Sequence, residues 1–275
     1  MCRNPESFVG CAPCESLYLM SFSSRELRGL MATLLYIFPH PDDECFGPAP
    51  ALAQQRADGH DVHLLTLTRG EATKQRHRLG FDKEKMGAVR YGEMQNVAQA
   101  LDLTSLKVLD LPDGELADLS PLAIEAPIER EIRRLRPDVV ITYAVHGISG
   151  HPDHLVTHAT VKRVVCAGDR NRATSVRRLA FFTLREKDDD RPDHLTGSPD
   201  AAIDCVIPVN DAAMQVAQEA LHCYETYMPV IEAHRPLQSV QDGVCFECFQ
   251  EAPRPRLTDL TAHLPARLAA APALN

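Results

Sequence analysis

Five residues, His40-Pro41-Asp42-Asp43-Glu44, place one imidazole and three carboxyl groups directly after the apolar run Leu34-Leu35-Tyr36-Ile37-Phe38. Like charges that close repel, and a loop leaving a buried strand has little water to screen them, so a bound cation or a solvated turn is the usual remedy. A second cluster, His151-Pro152-Asp153-His154, follows another apolar run, Val139-Val140-Ile141-Thr142. A catalytic zinc takes three protein ligands, typically imidazole nitrogen and carboxylate oxygen, and keeps a position for water. His40, Asp43 and His154 can supply that set. Zinc brings the pKa of its water toward neutrality, and Asp42 is placed to take the proton as water attacks a carbonyl carbon. His151 can stabilise the resulting oxyanion or protonate a departing amine. Spacing alone leaves open whether Asp42 or Asp43 is the ligand, and whether His151 and His154 both bind. Each cluster also has a plainer reading, the first as an Asx/Pro turn and the second as a helix entry with Pro152 in the first turn and Asp153 favoured by the helix dipole. Their recurrence at two strand ends favours one shared site.

The elements that must position these groups alternate short apolar runs with longer amphipathic stretches, the pattern of βα units. Strands are expected at Leu34–Phe38, Val62–Leu67, Lys107–Leu109, Val139–Thr142 and Leu179–Thr183, with further strands in Ala202–Val209 and Val244–Gln250. Helices are expected near Ala49–Asp58, Lys85–Leu101, Leu122–Leu135, His154–Ala167 and Ala212–Cys223. The fold class is therefore α/β, a Rossmann-like three-layer sandwich with a mostly parallel central sheet and helices on both faces. In such sheets ligands sit beyond the carboxyl ends of the strands. Both His/Asp clusters occupy that position, and so does Thr68-Arg69-Gly70-Glu71 after the second strand.

Composition narrows the function classes. The formal charge of −9 argues against a general nucleic-acid surface, and no apolar run approaches the roughly 20 residues that cross a bilayer. Nine cysteines, an odd and scattered count, fit a reducing cytoplasm. The spacings Cys11/Cys14 and Cys245/Cys248 resemble metal pairs, but buried thiols are the better reading for residues so far apart in the chain. Residues 1–30 carry no secretory pattern and read as an extension, disordered or preceding a true start at Met31; 31–250 form the main domain and 251–275 a peripheral tail. A Gly-x-Gly-x-x-Gly turn, a P-loop and a complete Gly-x-Ser-x-Gly elbow are all missing, which disfavours nucleotide and serine-hydrolase chemistry. A non-catalytic sugar- or nucleotide-binding module on the same sheet remains the reading from another class.

The run Phe38-Pro39-His40-Pro41-Asp42-Asp43-Glu44 with Gly47, then Leu67-Thr68-Arg69-Gly70-Glu71, then Gly150-His151-Pro152-Asp153-His154 resembles the LmbE-like (PIG-L) zinc-dependent de-N-acetylases, over about residues 32–250. These include N-acetylglucosaminyl-phosphatidylinositol, mycothiol-pathway and bacillithiol-pathway enzymes, and the helix segment Arg90-Tyr91-Gly92-Glu93-Met94 is most similar to the bacillithiol group. The resemblance implies His40, Asp43 and His154 as ligands of zinc, with ferrous iron as an alternative, and Asp42 as general base. It implies His151 as the imidazole serving the oxyanion or the amine, oriented by Asp153, and Arg69 as a substrate contact. The implied reaction removes acetate from an N-acetylglucosamine conjugate, with N-acetylglucosaminyl-malate as the subfamily substrate; an amidase acting on thiol conjugates is the alternative. Small-molecule substrate, no nucleic acid, no membrane span and a cytoplasmic setting follow, and homo-oligomerisation is left open. Ser149 departs from the tyrosine that some relatives carry before Gly-His-Pro-Asp-His, so Tyr143, Tyr224 or Tyr227 is the expected substitute if His151 does not take over the acid role.

Overall fold

The computed structural model describes residues 31–170, 176–186 and 194–264, and everything below belongs to the unit that begins at Ala32. Its strands are β1 (Thr33–Phe38), β2 (Asp61–Thr68), β3 (Ser105–Leu111), β4 (Val139–Tyr143), β5 (Arg178–Thr183), β6 (Cys205–Ile207) and β7 (Val244–Cys248). They form a single sheet in the order β3-β2-β1-β4-β5-β7-β6. The first five strands in that order run parallel, and β7 runs against both β5 and β6. The helices are α1 (Ala49–Ala57), α2 (Gln75–Leu79), α3 (Lys83–Ala100), α4 (Pro121–Leu135), α5 (Pro152–Arg170), α6 (Asp211–His222) and α7 (Met228–His234). The short α2 and α7 were not expected from periodicity, since each is too brief to show a 3.6-residue repeat.

β1 explains the layering. Its side chains alternate across the pleat, so Leu34, Tyr36 and Phe38 join one buried cluster with α1, α3 and α6, while Leu35 and Ile37 join another with α4 and α5. A strand buried on both faces reads as a continuous apolar run, which is why β1 and β4 were legible at once. Because β1 to β5 all run parallel, the loops that follow them lie at the same edge of the sheet.

Residues 252–264, the described part of the tail expected to be peripheral, pack against the sheet. Leu257 and Leu260 are buried, and the Arg178 guanidinium pairs with Glu251 and donates to the carbonyls of Leu260 and Ala262. Apolar residues among prolines gave no periodicity to read. The expected extension, residues 1–30, and the pair Cys11/Cys14 lie outside the described residues. Cys245 and Cys248 are buried free thiols on β7. Among the described residues no helix is long and apolar enough to cross a membrane.

Candidate metal centre

Strand order reverses between β1 and β4, the place where an open α/β sheet leaves a crevice beyond its carboxyl ends. The turn after β1 brings His40, Asp42 and Asp43 into it, the start of α5 brings His151, Asp153 and His154, and the loop after β3 brings Asp113. Asp43 lies at the centre: its Oδ2 is 3.4 Å from His40 Nδ1 and its Oδ1 3.4 Å from His154 Nε2. Tyr143, at the end of β4, donates its hydroxyl to Asp43 Oδ1 at 2.7 Å and stacks on His154 with ring centroids 4.3 Å apart. Burial opposes the charge on Asp43, but the His154 and His40 imidazoles and the Tyr143 hydroxyl outweigh it and hold the carboxyl well below the usual range.

The far nitrogens of both imidazoles are occupied. His154 Nδ1 lies 2.9 Å from the Gly147 carbonyl, which can only accept, so that nitrogen carries the proton and Nε2 offers a lone pair toward Asp43. His40 Nε2 faces two carboxylates, Asp153 at 3.0 Å and Asp113 at 3.3 Å, so it too is the donor and Nδ1 turns to Asp43. Lone pairs facing a carboxylate at this distance need a proton or a cation between them. Burial favours neutral His154, and its pKa is lowered accordingly. Burial also works against a charged His40, yet Asp153, Asp43 and Asp113 push its pKa up to about 10. An imidazole held at one nitrogen by a carboxylate or carbonyl, with the other free for a metal, is the arrangement typical of histidine ligands. The residues therefore fit a divalent cation held by His40, Asp43 and His154. His151 offers another nitrogen, since its ring lies with those of His40 and His154 in a three-imidazole group able to hold a metal. A second such group, His40 with Asp113 and Asp153, is also tied to the backbone, with Ala72 N–H donating to Asp113 and Gly114 and Leu116 N–H to Asp153.

Asp42 sits beside this centre with a left-handed backbone, φ 86°, a conformation that a non-glycine residue holds only when its surroundings enforce it. Arg90, fully buried on α3, enforces it: one Nη donates to Pro41 O at 2.7 Å and to Asp42 Oδ2 at 2.6 Å, and the guanidinium lies over the Tyr227 ring at 4.5 Å. The other Nη reaches Gly70 O at 3.4 Å, and a Cβ on Gly70 would come within 2.7 Å of that nitrogen. The Gly70 of the second-strand motif thus makes room for the arginine. Burial raises the Asp42 carboxyl to about 7 against the pull of Arg90.

Other sequence-designated residues are placed differently from expectation. Asp153 does not orient His151 with its carboxylate; that group is spent on His40, Gly114 and Leu116, and only its backbone N–H reaches His151 Nδ1, at 3.2 Å. His151 stays exposed at the mouth, its ring 4.9 Å from that of His40. Arg69 does not line the cavity: it pairs with Asp110 at 3.2 Å and lies over Tyr91 at 5.3 Å. Glu44 is buried and accepts from Tyr224 Oη at 2.5 Å, behind the site. Sequence reasoning missed Asp113 and the inward role of Arg90. Asp113 was findable, because Leu111-Pro112-Asp113-Gly114 ends the third strand just as the other clusters end theirs. Arg90 was not, since one arginine in a helix gives no sign of its partner 48 residues away.

The centre opens into a cavity of about 920 Å³, lined at its inner end by His40, Asp42, Asp43 and Asp113 and farther out by Tyr227, Leu195 and others. Asp42, the metal group and His151 all face this space, so a water, a carbonyl carbon and a leaving nitrogen can be brought together there.

Residues 35–165 match the family of GlcNAc-PI de-N-acetylases, PIG-L. A deacetylase of 1D-myo-inositol 2-acetamido-2-deoxy-alpha-D-glucopyranoside from Rhodococcus jostii is 30% identical over 241 residues, covering 72% of this chain and 82% of that protein. The same-named protein of Kineococcus radiotolerans is 32% identical over 168 residues, 50% of this chain and 46% of its own length. The chain thus spans about half of the first curated relatives it matches. Among solved structures, the zinc-inhibited form of teicoplanin deacetylase Orf2 superposes with a TM-score of 0.63 at 16% identity over 78% of this chain and 97% of that one. GalB, a 4-carboxy-2-hydroxymuconate hydratase from Pseudomonas putida, superposes with a TM-score of 0.61 at 15% identity over 82% and 100%, so the fold is shared by proteins of different named activity. Matching motifs, sheet and a relative aligned over most of its length place this chain in the PIG-L/LmbE-like de-N-acetylase family.

Proposed function

We propose that the protein is a metal-dependent hydrolase that removes acetate from an N-acetylglucosamine conjugate. The observation that carries this reading is Asp43 standing between two imidazoles whose other nitrogens are held, with Asp42 next to it at the wall of an open cavity. His40, Asp43 and His154 would hold a zinc or ferrous ion, which would supply the Lewis acidity that makes water nucleophilic near neutral pH and polarises an amide carbonyl. Asp42, strained toward the cavity and raised by burial, accepts the proton of the attacking water. Arg90 holds that carboxylate in place through a charge-assisted bond. His151, exposed at the mouth beside His40, donates to the oxyanion or to the departing amine. Asp153 and Asp113 fix the His40 ring, and Tyr143 fixes Asp43. Tyr143 is thereby engaged with a ligand, and of the tyrosines considered as substitutes at the site Tyr227 is the one that lines the cavity without such an engagement.

The aglycone is the finer question. The relatives' names specify an inositol conjugate, whereas the subfamily resemblance implies malate; the relatives lend malate no support. Zinc-loaded protein offered N-acetylglucosaminides of inositol and of malate, together with thiol-conjugate amides, should release acetate from at least one acetylated sugar. Acetate from none of them sinks the deacetylase reading, and cleavage of the thiol conjugates alone favours the amidase. Asp42→Asn should lower kcat by about 10²–10⁴-fold with metal retained. Loss of the metal in that variant would show that Asp42, not Asp43, is the ligand.

A further inference from the structure

Charge is unevenly distributed along the cavity. Its three acids, Asp42, Asp43 and Asp113, are all buried at the metal end. Among the described residues, the exposed part of the lining carries Lys74, Arg235, His194 and His234 with the amides of Gln238 and Gln241, and no carboxylate. Lys74 precedes α2 and Arg235 follows α7, so two separate segments bring cations to one opening. Neither forms an ion pair among the described residues. In a chain of formal charge −9, two cations converging on one opening from separate segments run against the average charge of the chain. Concave low-dielectric walls focus such a field on whatever enters.

We propose that Lys74 and Arg235 bind an anionic group, carboxylate or phosphate, on the aglycone of the amino sugar, so that the protein selects anionic over neutral conjugates. This rests on the deacetylase reading for the inner end of the same cavity. The sugar's acetamide reaches Asp42 and the metal ligands, and the aglycone extends outward to the cations. Binding there is remote from the reacting carbon, so it is expressed in KM and weakened by salt.

The test uses full-length, zinc-loaded protein with four N-acetylglucosaminides, carrying methyl, inositol, malate and glycerol phosphate as aglycones. KM for the malate or the phosphate conjugate should lie about tenfold or more below that of the two neutral ones, consistent with one charge-assisted bond of about 1.5 kcal/mol. Whichever of the two anions has the lower KM identifies the group. Lys74→Gln and Arg235→Gln should each raise that KM about tenfold with kcat kept, leave the neutral conjugates unchanged and weaken the salt dependence, since one cation remains; Lys74→Arg should restore the low KM. Equal KM values for neutral and anionic conjugates, or variants that raise KM for both alike, overturn the proposal while leaving the deacetylase reading intact. Absence of acetate from all four conjugates overturns both. Unchanged melting temperatures of the exposed-site variants confirm that the KM effects arise in binding.

Discussion

Arg90 shows how one buried side chain sets the geometry of the residues around it. Its guanidinium fastens Pro41 and Asp42 of the β1 turn to Gly70 of the β2 turn, so the loop that carries the proposed base is held from α3 and not by its own sequence. Gly70 has φ +65°, and its missing Cβ leaves the space that Arg90 occupies. Gly70→Ala therefore incurs both backbone strain and a clash, and should cost about 1–3 kcal/mol in urea unfolding while lowering kcat more than it raises KM. A variant of wild-type stability and activity would show that the guanidinium can move aside freely. Glu44 gives a pH-dependent prediction. It is fully buried with Oε2 unpartnered, and burial pushes its pKa up to about 7. The folded state then binds the proton more tightly than the unfolded chain, whose glutamate titrates near ~4.3. Its contribution to stability is full below ~4.3 and is lost as pH rises to about 7, on the order of 3 kcal/mol. Metal-free wild-type protein should lose stability between pH 5 and 8 by more than Glu44→Gln does, as read by urea unfolding at the two pH values. Parallel losses in both proteins would remove Glu44 as the cause.

At the scale of elements, the strand ends do most of the positioning. β1, β3 and β4 run parallel, so their following loops meet at one edge, and residues about 40 and about 110 positions apart become neighbours there. Glycine serves the same convergence at Gly47, φ +137°, where a Cβ would come within 2.5 Å of Phe182 of β5 and force the β1 turn away from the sheet. Residues 252–264 belong to this framework too, because Arg178 at the start of β5 anchors them and Leu260 is completely buried. Leu260→Ala should cost about 2–5 kcal/mol, the range for a truncated core leucine. A cost below about 1 kcal/mol in chemical denaturation would mean that the segment is only laid on the surface.

For the molecule as a whole, the site gathers acceptor groups that a cation would bind. Four carboxylates (Asp42, Asp43, Asp113 and Asp153) and three imidazoles around one crevice gain from a cation that the unfolded chain does not hold, so zinc should stabilise the native state by mass action, by about 4 kcal/mol at 1,000 times its dissociation constant. Adding zinc to chelator-treated protein should raise the melting temperature by on the order of 10 °C, and His154→Ala should show little of that rise. No shift in the wild type would remove His40, Asp43 and His154 as a metal set. The sequence by itself determined the sheet class, the doubly buried strands and the two His/Asp clusters, because periodicity and local residue type encode them directly. It also located the clusters at the correct end of the sheet, since parallel strands send all their following loops to one edge. Only the tertiary structure decided the partners: that Asp153 serves His40, that Arg90 points inward while Arg69 pairs outward with Asp110, and that Asp113 joins from β3. Those contacts depend on side-chain direction and on neighbours far apart in the chain, which no local pattern of residues specifies.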